Sequence, residues 1–368
     1  MPALFIGLMS GTSMDGIDAA LLDCSTDRPA IIATHASKFS PVIRQQLETA
    51  LRLEDPRNAD LADLDQSIGE AFAAATNALL KNTHTEPGSV TAIGSHGQTI
   101  RHEPDASAPY SLQIGNPQTI SKLTGIDVVA DFRSADIEAG GQGAPLVPAF
   151  HRAVFSDEQE TRVILNIGGI ANITILPRTA DSHVTGFDTG PGNTLMDAWM
   201  RHHLDQPMDQ DGRMAASGSV NKDLLEYLLQ DHYFSRPPPK STGFEYFNLD
   251  WLQKYSAGCD CSDEDMLATL CELTVSSITG AVRTHAPETQ RVLVCGGGAR
   301  NPQLMQRLET SLSGIPVSST QDYGINPDWV EAAAFAWLAK QRLEGKPGNI
   351  PEVTGAHKAV QLGCLFRA

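Results

Sequence analysis

The sequence predicts an α/β fold built from two similar domains, and three observations support this prediction. The chain has 368 residues, a length at which roughly 150 residues per domain gives two or three domains. Apolar, β-branched runs alternate with segments that are apolar at helical spacing, as in α/β proteins. A strand, a glycine-rich turn and a second strand occur near the N-terminus and again about half a chain later, so each domain is expected to begin with a hairpin.

The first half of the chain is expected to hold one such hairpin, a helix and two further strands. The hairpin strands are predicted at 4–8 and 17–22, around a turn of small and polar residues. The remaining predicted elements are a helix at 61–80 and strands at 90–93 and 128–132. The Gly- and Pro-rich segment 139–148 favours a loop and is the predicted crossing between the domains.

The second half repeats the hairpin, with strands at 163–167 and 170–176 around Gly168-Gly169. A further strand is predicted at 292–295, directly before three glycines. The predicted helices of this half are 195–202, 266–282, 299–312 and 328–343. The sequence has no coiled-coil heptads and no short-period repeat, which excludes fibrous and solenoid folds.

The composition excludes nucleic acids and anionic membranes as the main partners. Lys and Arg number 27 against 44 Asp and Glu, giving a net charge of −17, whereas both partners require a basic surface. No apolar run approaches the ~18 residues of a membrane span, and the N-terminus lacks the charged region of a secretory signal. The 6 cysteines are scattered and lack a usual zinc spacing, so we expect free thiols in a reducing cytoplasm.

The turn at 10–18 has the composition of an anion-binding loop. Gly11 and Gly16 permit backbone conformations in which N–H groups face an anion at close range, and Thr12 and Ser13 add hydroxyl donors. The sequence contains no Walker-type loop, and the Lys-Ser-Thr at 240–242 follows prolines where that loop needs glycines. An ordinary tight turn explains the same residues, so both interpretations stay open.

Two further glycine-rich segments are candidate nucleotide sites. The hairpin at 166–174 occupies the position in the second half that 10–18 occupies in the first, so the two turns could hold the ends of one polyphosphate. The glycines at 296–298 join a strand to a helix, and helix N-termini favour phosphate. Each segment by itself is equally typical of a simple turn.

Several polar positions are candidate catalytic or substrate residues. Asp188 lies in a stretch, GFDTGPGN, that is too rich in Gly and Pro for the interior of a helix or strand, so it is either a turn former or a base. Arg133 suits a carboxylate or phosphate, or a surface ion pair. Glu331 follows Asp328 at the spacing of a capping box, which already gives it a structural role. The segment 94–102 carries hydroxyl, amide and imidazole groups and is a candidate substrate rim.

Taken together, these motifs resemble the anhydro-N-acetylmuramic acid kinase family over essentially the whole chain. The segments that carry the resemblance read GLMSGTSMDGID at 7–18, GSHGQT at 94–99, NIGGIAN at 166–172, GFDTGPGN at 186–193 and VCGGGARN at 294–301. The family belongs to the actin, sugar kinase and Hsp70 superfamily. The resemblance implies two ribonuclease-H-like α/β domains with ATP in the cleft between them. We expect domains at 1–138 and 139–344, with 345–368 packing back on the first.

The resemblance also implies roles for individual residues. Asp188 is the expected catalytic base, and Thr99, Arg133 and Glu331 are the expected substrate contacts, with Arg133 suited by its charge to the lactyl carboxylate. The expected ATP-binding residues are Gly11, Thr12, Ser13, Met14, Asp15, Gly16, Ile17, Asp18, Asn166, Gly168, Gly169, Asn172, Gly296, Gly297 and Asn301. The Mg²⁺ ligands stay open, with Asp15 and Asp18 as candidates.

The implied reaction is phosphorylation of O6 of 1,6-anhydro-N-acetylmuramic acid with hydrolytic opening of the 1,6-anhydro bridge, giving N-acetylmuramic acid 6-phosphate in cell-wall recycling. A cytoplasmic homodimer using ATP and Mg²⁺ is expected. The alternatives are a kinase for a non-anhydro amino sugar, a non-catalytic nucleotide switch and a glycosidase without nucleotide. The two hairpin turns carry no Lys or Arg, so phosphate binding is expected to depend on backbone N–H groups, hydroxyls and Mg²⁺.

Overall fold

The computed structural model describes residues 3–11, 14, 16–26, 28–179 and 182–368. The chain divides into two compact units, and each is described separately: unit 1 comprises Met1–Val154 and Trp329–Ala368, and unit 2 comprises Phe155–Asp328. The predicted boundaries lay at 138 and 344. The structure instead assigns 139–154 and 329–344 to unit 1.

The elements within the described residues are as follows. The strands are β1 (Leu4–Ser10), β2 (Ile17–Asp23), β3 (Ala30–Ser37), β4 (Val90–Glu103), β5 (Tyr110–Ile114), β6 (Val128–Ala130), β7 (Arg162–Ile167), β8 (Ile170–Leu176), β9 (Thr185–Pro191), β10 (Arg291–Cys295), β11 (Val317–Ser319) and β12 (Cys364–Phe366). The α-helices are α1 (Pro41–Leu51), α2 (Ala62–Thr83), α3 (Pro117–Thr124), α4 (Ser134–Glu138), α5 (Val147–Phe155), α6 (Thr194–Leu204), α7 (Arg213–Ser217), α8 (Lys222–Leu229), α9 (His232–Ser235), α10 (Leu249–Ser256), α11 (Asp263–His285), α12 (Pro302–Ser311), α13 (Val330–Leu343) and α14 (Pro351–Thr354).

Unit 1 is built on one mixed sheet with the order β3-β2-β1-β4-β6-β12, and β5 pairs with β4. The predicted first hairpin is present, since β1 and β2 pair antiparallel. Parallel pairing then joins β1 to β4 and β4 to β6. The C-terminal strand β12 closes this side of the sheet by pairing antiparallel with β6.

The two faces of the unit 1 sheet are covered in different ways. On one face, side chains such as Ile6 and Leu8 pack with Phe72 of α2 in a hydrophobic core. On the other face, α13 lies directly on Gly7 and Gly94, which are paired across β1 and β4. A Cβ on either glycine would overlap a carbonyl oxygen of α13. This close packing is the reason that α13 belongs to unit 1.

Unit 2 repeats the arrangement with the sheet order β11-β10-β7-β8-β9. The antiparallel hairpin β7–β8 is extended by antiparallel β9 on one side and by parallel β10 and β11 on the other. Counted within each unit, both sheets thus contain the order 3-2-1-4 with an antiparallel second strand, and one further parallel strand follows the fourth, β6 in unit 1 and β11 in unit 2. This is the ribonuclease-H-like topology, so the predicted α/β fold class is confirmed. Among the described residues, no helix is long and apolar enough to cross a bilayer.

Candidate active site

Asp188 lies in a row with two asparagines on the unit 2 sheet. Asn166 of β7 pairs with Asn172 of β8, and Asn172 pairs with Asp188 of β9. Residues directly opposite one another on neighbouring strands point to the same face of a sheet. The alternate positions, such as Leu165 and Phe187, belong to the hydrophobic core of the unit. The three polar side chains therefore share the face that points away from this core.

The prediction that Asp188 lies outside strand interiors is wrong, because Asp188 is the central residue of β9. This strand is the edge of its sheet, and an edge position tolerates Gly and Pro because one side of its backbone needs no ladder partner. The pairing with β8 is also irregular between Ala171 and Asn172. Edge position and a bulge together explain how a strand forms from so unfavourable a sequence.

The free edge of β9 at Asp188 is covered by the segment 233–242. The Asp188 N–H donates to the carbonyl oxygen of Lys240 (3.1 Å), and the Tyr233 hydroxyl donates to the Asp188 carbonyl oxygen (2.8 Å). The Thr242 N–H donates to Oδ2 of the Asp188 carboxylate (3.0 Å). None of these three partners is among the predicted site residues. The Lys-Ser-Thr at 240–242 is the sequence signal in this segment, but by itself it suggests only the end of a Walker loop.

The electrostatic surroundings suit Asp188 to the role of a base near neutral pH. Burial raises the pKa of its carboxyl to about 6; the Thr242 N–H opposes this, the negative charge of Glu245 adds to it and Lys240 opposes it. A carboxylate with such a pKa is largely ionised at pH 7, yet it is a stronger proton acceptor than an ordinary aspartate.

The second glycine turn is tied to the start of α6. The Gly168 carbonyl oxygen accepts from the backbone N–H of Asn193, and the Gly169 carbonyl oxygen accepts from the N–H groups of Gly192 and Thr194. A Cβ on Gly192 would overlap the Gly168 carbonyl oxygen. The turn that is expected to meet phosphate is thus held by a rigid helix, and it is continuous with the row of Asn166, Asn172 and Asp188.

The third glycine-rich segment follows β10. Gly296 has φ +79 and donates its N–H to the Pro327 carbonyl oxygen (3.0 Å), and a Cβ there would meet the Asn166 side chain. Gly297 faces open space. Asn301 is the N-cap of α12, with Oδ1 accepting from the Leu304 N–H (3.1 Å). The predicted helix at 299–312 therefore begins only at residue 302, after a short 3-10 turn at 297–300.

Gln98 of β4 forms hydrogen bonds with the start of the first turn. The Ser10 hydroxyl lies 2.7 Å from Gln98 Oε1 and 2.8 Å from the Gly16 carbonyl oxygen, and Gln98 Nε2 donates to the Gly11 carbonyl oxygen (3.2 Å). Gln98 supplies the amide of the segment 94–102, which the sequence suggests as a substrate rim, whereas its contacts are with the first turn. Gln98 holds the start of this turn, and the Ser10 hydroxyl links that start to Gly16.

The predicted residues of the first turn are placed as follows. Met14 has φ 55 and donates its N–H to the Gly11 carbonyl oxygen. Ile17 is buried and Asp18 is half-buried, both on β2. A Cβ on Gly16 would overlap the Ser37 carbonyl oxygen, so this glycine is required by packing. Thr12, Ser13 and Asp15 lie outside the described residues.

Arg133 lies at the start of α4 and is held by neutral groups. Its Nη2 lies 2.8 Å from Nε2 of the buried His96, and its Nη1 donates to the Gly143 carbonyl oxygen (2.8 Å). Because an arginine only donates, His96 must accept at Nε2, and burial and the Arg133 charge lower the pKa of His96 well below its usual value. Burial lowers the pKa of Arg133 to about 10, so it stays charged at pH 7. The alternative of a surface ion pair does not match these contacts.

Glu331 lies in the first turn of α13 and reaches solvent. Surrounding protein and the charge of Asp18 raise the pKa of its carboxyl, and Arg133 opposes this. The expected capping box is wrong: the N-cap is Trp329, without a side-chain cap, and Asp328 pairs with Arg300 instead. Glu331 is therefore free of the structural role that its spacing suggested.

Thr99 accepts a hydrogen bond from Gln113 (3.2 Å) and is half-buried. Unit 1 thus brings Arg133, Glu331 and Asp18 into electrostatic contact, whereas the described partner of the Thr99 hydroxyl is Gln113. Within the described ranges, no group of three or more His, Cys, Asp or Glu residues is arranged to hold a metal ion.

Comparison with known proteins identifies the family of the chain. Residues 3–368 match the family model described as anhydro-N-acetylmuramic acid kinase. A protein of that name from Coxiella burnetii is 48% identical, covering 98% of this chain and 97% of its own. Its namesakes from Saccharophagus degradans and Shewanella putrefaciens are 49% and 50% identical, covering 99% and 100% of this chain and 99% of their own. The match extends over the full set of glycine turns and Asp188, and the chain belongs to the anhydro-N-acetylmuramic acid kinase family.

Proposed function

We propose that the chain phosphorylates O6 of 1,6-anhydro-N-acetylmuramic acid with ATP while water opens the 1,6-anhydro bridge. The products are N-acetylmuramic acid 6-phosphate and ADP, and the biological role is recycling of cell-wall sugars. The observation that carries this proposal is the Asp188 carboxyl, which has a raised pKa of about 6 and one oxygen held by the Thr242 N–H. A kinase that acted on a free sugar hydroxyl would use such a base to deprotonate that hydroxyl. Family membership therefore decides between the anhydro sugar and a non-anhydro sugar as the substrate.

The proposed step uses Asp188 on water. Since O6 of the substrate is bonded to C1, it carries no proton for a base to remove. Asp188 instead takes a proton from a water molecule whose oxygen attacks C1 opposite O6, as the base does in an inverting glycosidase. The C1–O6 bond breaks, and O6 takes the γ-phosphoryl group as the bond from phosphorus to the ADP oxygen breaks. The proton remains on Asp188, so no separate general acid is needed.

The proposed nucleotide contacts come from the three glycine-rich turns. Gly169 and Gly297 are exposed, and Gly297 has open space where a side chain would stand, so both leave room for a phosphate or nucleoside to approach the backbone. The first turn is the expected site of further phosphate contacts. That these turns serve one ATP stays a prediction from the family resemblance. The roles of Asn166 and Asn172 in ATP binding are proposed on the same ground.

Magnesium would neutralise charge on the transferring phosphate. Asp18 is the described carboxylate of the first turn that could contact the hydrated ion, and its half-buried position on β2 is compatible with such a role. Mg²⁺ keeps several waters and is commonly held by one or two carboxylates and substrate phosphates. A dedicated cluster of protein ligands is therefore not required.

Arg133, Glu331 and Thr99 are the proposed sugar contacts. Arg133 retains its charge and is oriented by His96 and Gly143, which supports a contact with the lactyl carboxylate. Glu331 reaches solvent and accepts hydrogen bonds when ionised, which supports a contact with sugar hydroxyl or amide groups.

The experiment that tests the proposal incubates the purified protein with ATP, Mg²⁺ and 1,6-anhydro-N-acetylmuramic acid. We expect ADP and N-acetylmuramic acid 6-phosphate in equal amounts, with oxygen from ¹⁸O-labelled water at C1. ADP formation with ordinary N-acetylmuramic acid only would instead support the kinase for a non-anhydro sugar.

We also propose that the enzyme is a cytoplasmic homodimer. The support is the family resemblance, together with cysteines that form no disulfide among the described residues, as in reducing compartments. Light scattering on the purified protein should give twice the chain mass of 39.5 kDa. A mass of one chain across the micromolar range would contradict the dimer.

A further inference from the structure

We propose that Tyr233, Lys240 and Thr242 form a clamp that sets the orientation of the Asp188 carboxylate, so that Tyr233 and Lys240 are positioning residues for the reaction. This inference rests on the proposed function, because it assigns a purpose to the order around the base. The clamp is defined by these three residues and by their contacts with Asp188.

The contacts of the clamp form a closed circuit. Tyr233 donates its hydroxyl to the Asp188 carbonyl oxygen (2.8 Å), and the Asp188 N–H donates to the Lys240 carbonyl oxygen (3.1 Å). The Lys240 ammonium then donates back to the Tyr233 carbonyl oxygen (3.1 Å). Because every member is bonded to the next, the main chain at Asp188 cannot shift without breaking a buried hydrogen bond.

Lys240 is an unusual residue for such a place. The residue is only 8% exposed, and its ammonium lies 4.7 Å from the centre of the Tyr233 ring. It forms no ion pair with Asp188, and its hydrogen-bond acceptors are the carbonyl oxygens of Tyr233 and Phe234. Burying an ammonium against carbonyl groups costs free energy. A surface loop that needed only to be stable would not require a lysine buried in this way.

The position of Lys240 determines where Thr242 lies, two residues later. The Thr242 N–H occupies Oδ2 of Asp188 (3.0 Å), which fixes the rotation of the carboxylate and leaves Oδ1 as the oxygen that accepts the proton. A carboxylate held in one rotation loses less freedom when it meets the attacking water. The clamp thus links a buried lysine to the geometry of proton abstraction.

The charged and titratable groups around the clamp determine whether the pKa of the Asp188 carboxyl is raised or lowered. Lys240 lowers the pKa of the Asp188 carboxyl, whereas Glu245 raises it. Arg236 and His285 also lie in these surroundings: burial and Arg236 lower the pKa of Lys240, which Asp188 opposes, and burial and Lys240 lower the pKa of His285. Removing the Lys240 charge therefore raises the pKa of Asp188.

The test compares Tyr233→Phe and Lys240→Met with Tyr255→Phe. Tyr255 lies in the same aromatic cluster, but its hydroxyl donates to Asp231 (2.8 Å) rather than to Asp188. We expect the two clamp variants to lower kcat by about 10- to 100-fold with KM for both substrates unchanged. In Lys240→Met, the acid limb of the pH profile should also move to higher pH. The control should keep the wild-type kcat and pH profile.

Equal kcat in Tyr233→Phe and the control would overturn the clamp, and so would an unmoved acid limb in a folded Lys240→Met protein. If Lys240→Met fails to fold, Tyr233→Phe decides alone, since it removes a single oxygen. NMR titration of protein carrying ¹³C-labelled aspartate measures the pKa of the Asp188 carboxyl directly. Comparison of Lys240→Met with the wild type then tests the clamp without turnover. Failure of the wild-type protein to form product would therefore count against the proposed function and leave the clamp to be judged by this titration.

Discussion

Asn172 and Asp188 lie directly opposite one another on the antiparallel strands β8 and β9. This pairing joins the second glycine turn to the candidate base through a single row of side chains. A phosphate held at the turn and a water held at Asp188 would thus be positioned by the same piece of sheet. Coupled bond breaking and phosphoryl transfer requires such fixed spacing.

Replacement of Asp188 by Asn should abolish turnover while leaving nucleotide binding intact. The amide keeps the size of the side chain but cannot accept the proton of water, so we expect kcat to fall by at least 10²- to 10⁴-fold. The measurement is product formation together with calorimetric titration of an ATP analogue. Turnover within tenfold of the wild-type rate would remove Asp188 from the role of base.

The activity should depend on pH through the same carboxyl. Its pKa of about 6 means that the free enzyme loses the ionised base as the pH falls through this value. We expect kcat/KM to be level above about pH 7 and to fall tenfold per unit below about pH 6. Initial rates with a saturating ATP concentration test this. A limb near pH 4, typical of an ordinary aspartate, would contradict it.

Gly7→Ala should destabilise unit 1 and displace Glu331. The new Cβ would overlap the Ala332 carbonyl oxygen, so α13 must move away from β1, at a cost of about 1–3 kcal/mol or more. We expect a lower Tm and a higher KM for the sugar. Gly88→Ala is the matched control, because open space surrounds Gly88, and its Tm should stay within about a degree of the wild-type value.

Gln98→Met should weaken ATP binding more than sugar binding. The variant keeps the size of the side chain but loses the contacts with Ser10 and the Gly11 carbonyl oxygen, so the first turn is no longer held at its base. We expect KM for ATP to rise about tenfold, which corresponds to about 1.4 kcal/mol. Gln66→Met, on α2, provides the control. A rise in KM for the sugar alone would show that Gln98 serves a different site.

Arg133→Met should remove discrimination for the lactyl carboxylate. Charged hydrogen bonds to a carboxylate contribute about 1.5–3 kcal/mol, so we expect kcat/KM for 1,6-anhydro-N-acetylmuramic acid to fall by roughly 10- to 100-fold. The rate with 1,6-anhydro-N-acetylglucosamine, which lacks the lactyl group, should change much less. An equal loss of kcat/KM for both sugars would indicate that Arg133 supports the fold through His96 and Gly143 and does not bind the lactyl carboxylate.

Local sequence was sufficient for those elements whose neighbours are close along the chain. Both hairpins, the helix of α2 and the glycines after β10 follow from the hydrophobic pattern and from the turn residues. The prediction that Asp188 lies outside a strand is wrong because its structure depends on residues distant along the chain. Whether a Gly- and Pro-rich stretch becomes a strand depends on its place at the edge of a sheet, which local sequence does not report.

By itself the sequence determined the fold class and the family and indicated Asp188 as the candidate base, because long motifs of small residues mark places where a backbone passes close to another group. The tertiary structure alone decided what those residues touch. It placed Asn166, Asn172 and Asp188 in one row and assigned Gly7 and Gly94 to the packing of α13. It also brought Tyr233 and Thr242, which lie 45 and 54 residues further along the chain, into contact with Asp188. Such contacts arise from strand register and from the covering of a sheet edge, and both are set by the whole chain.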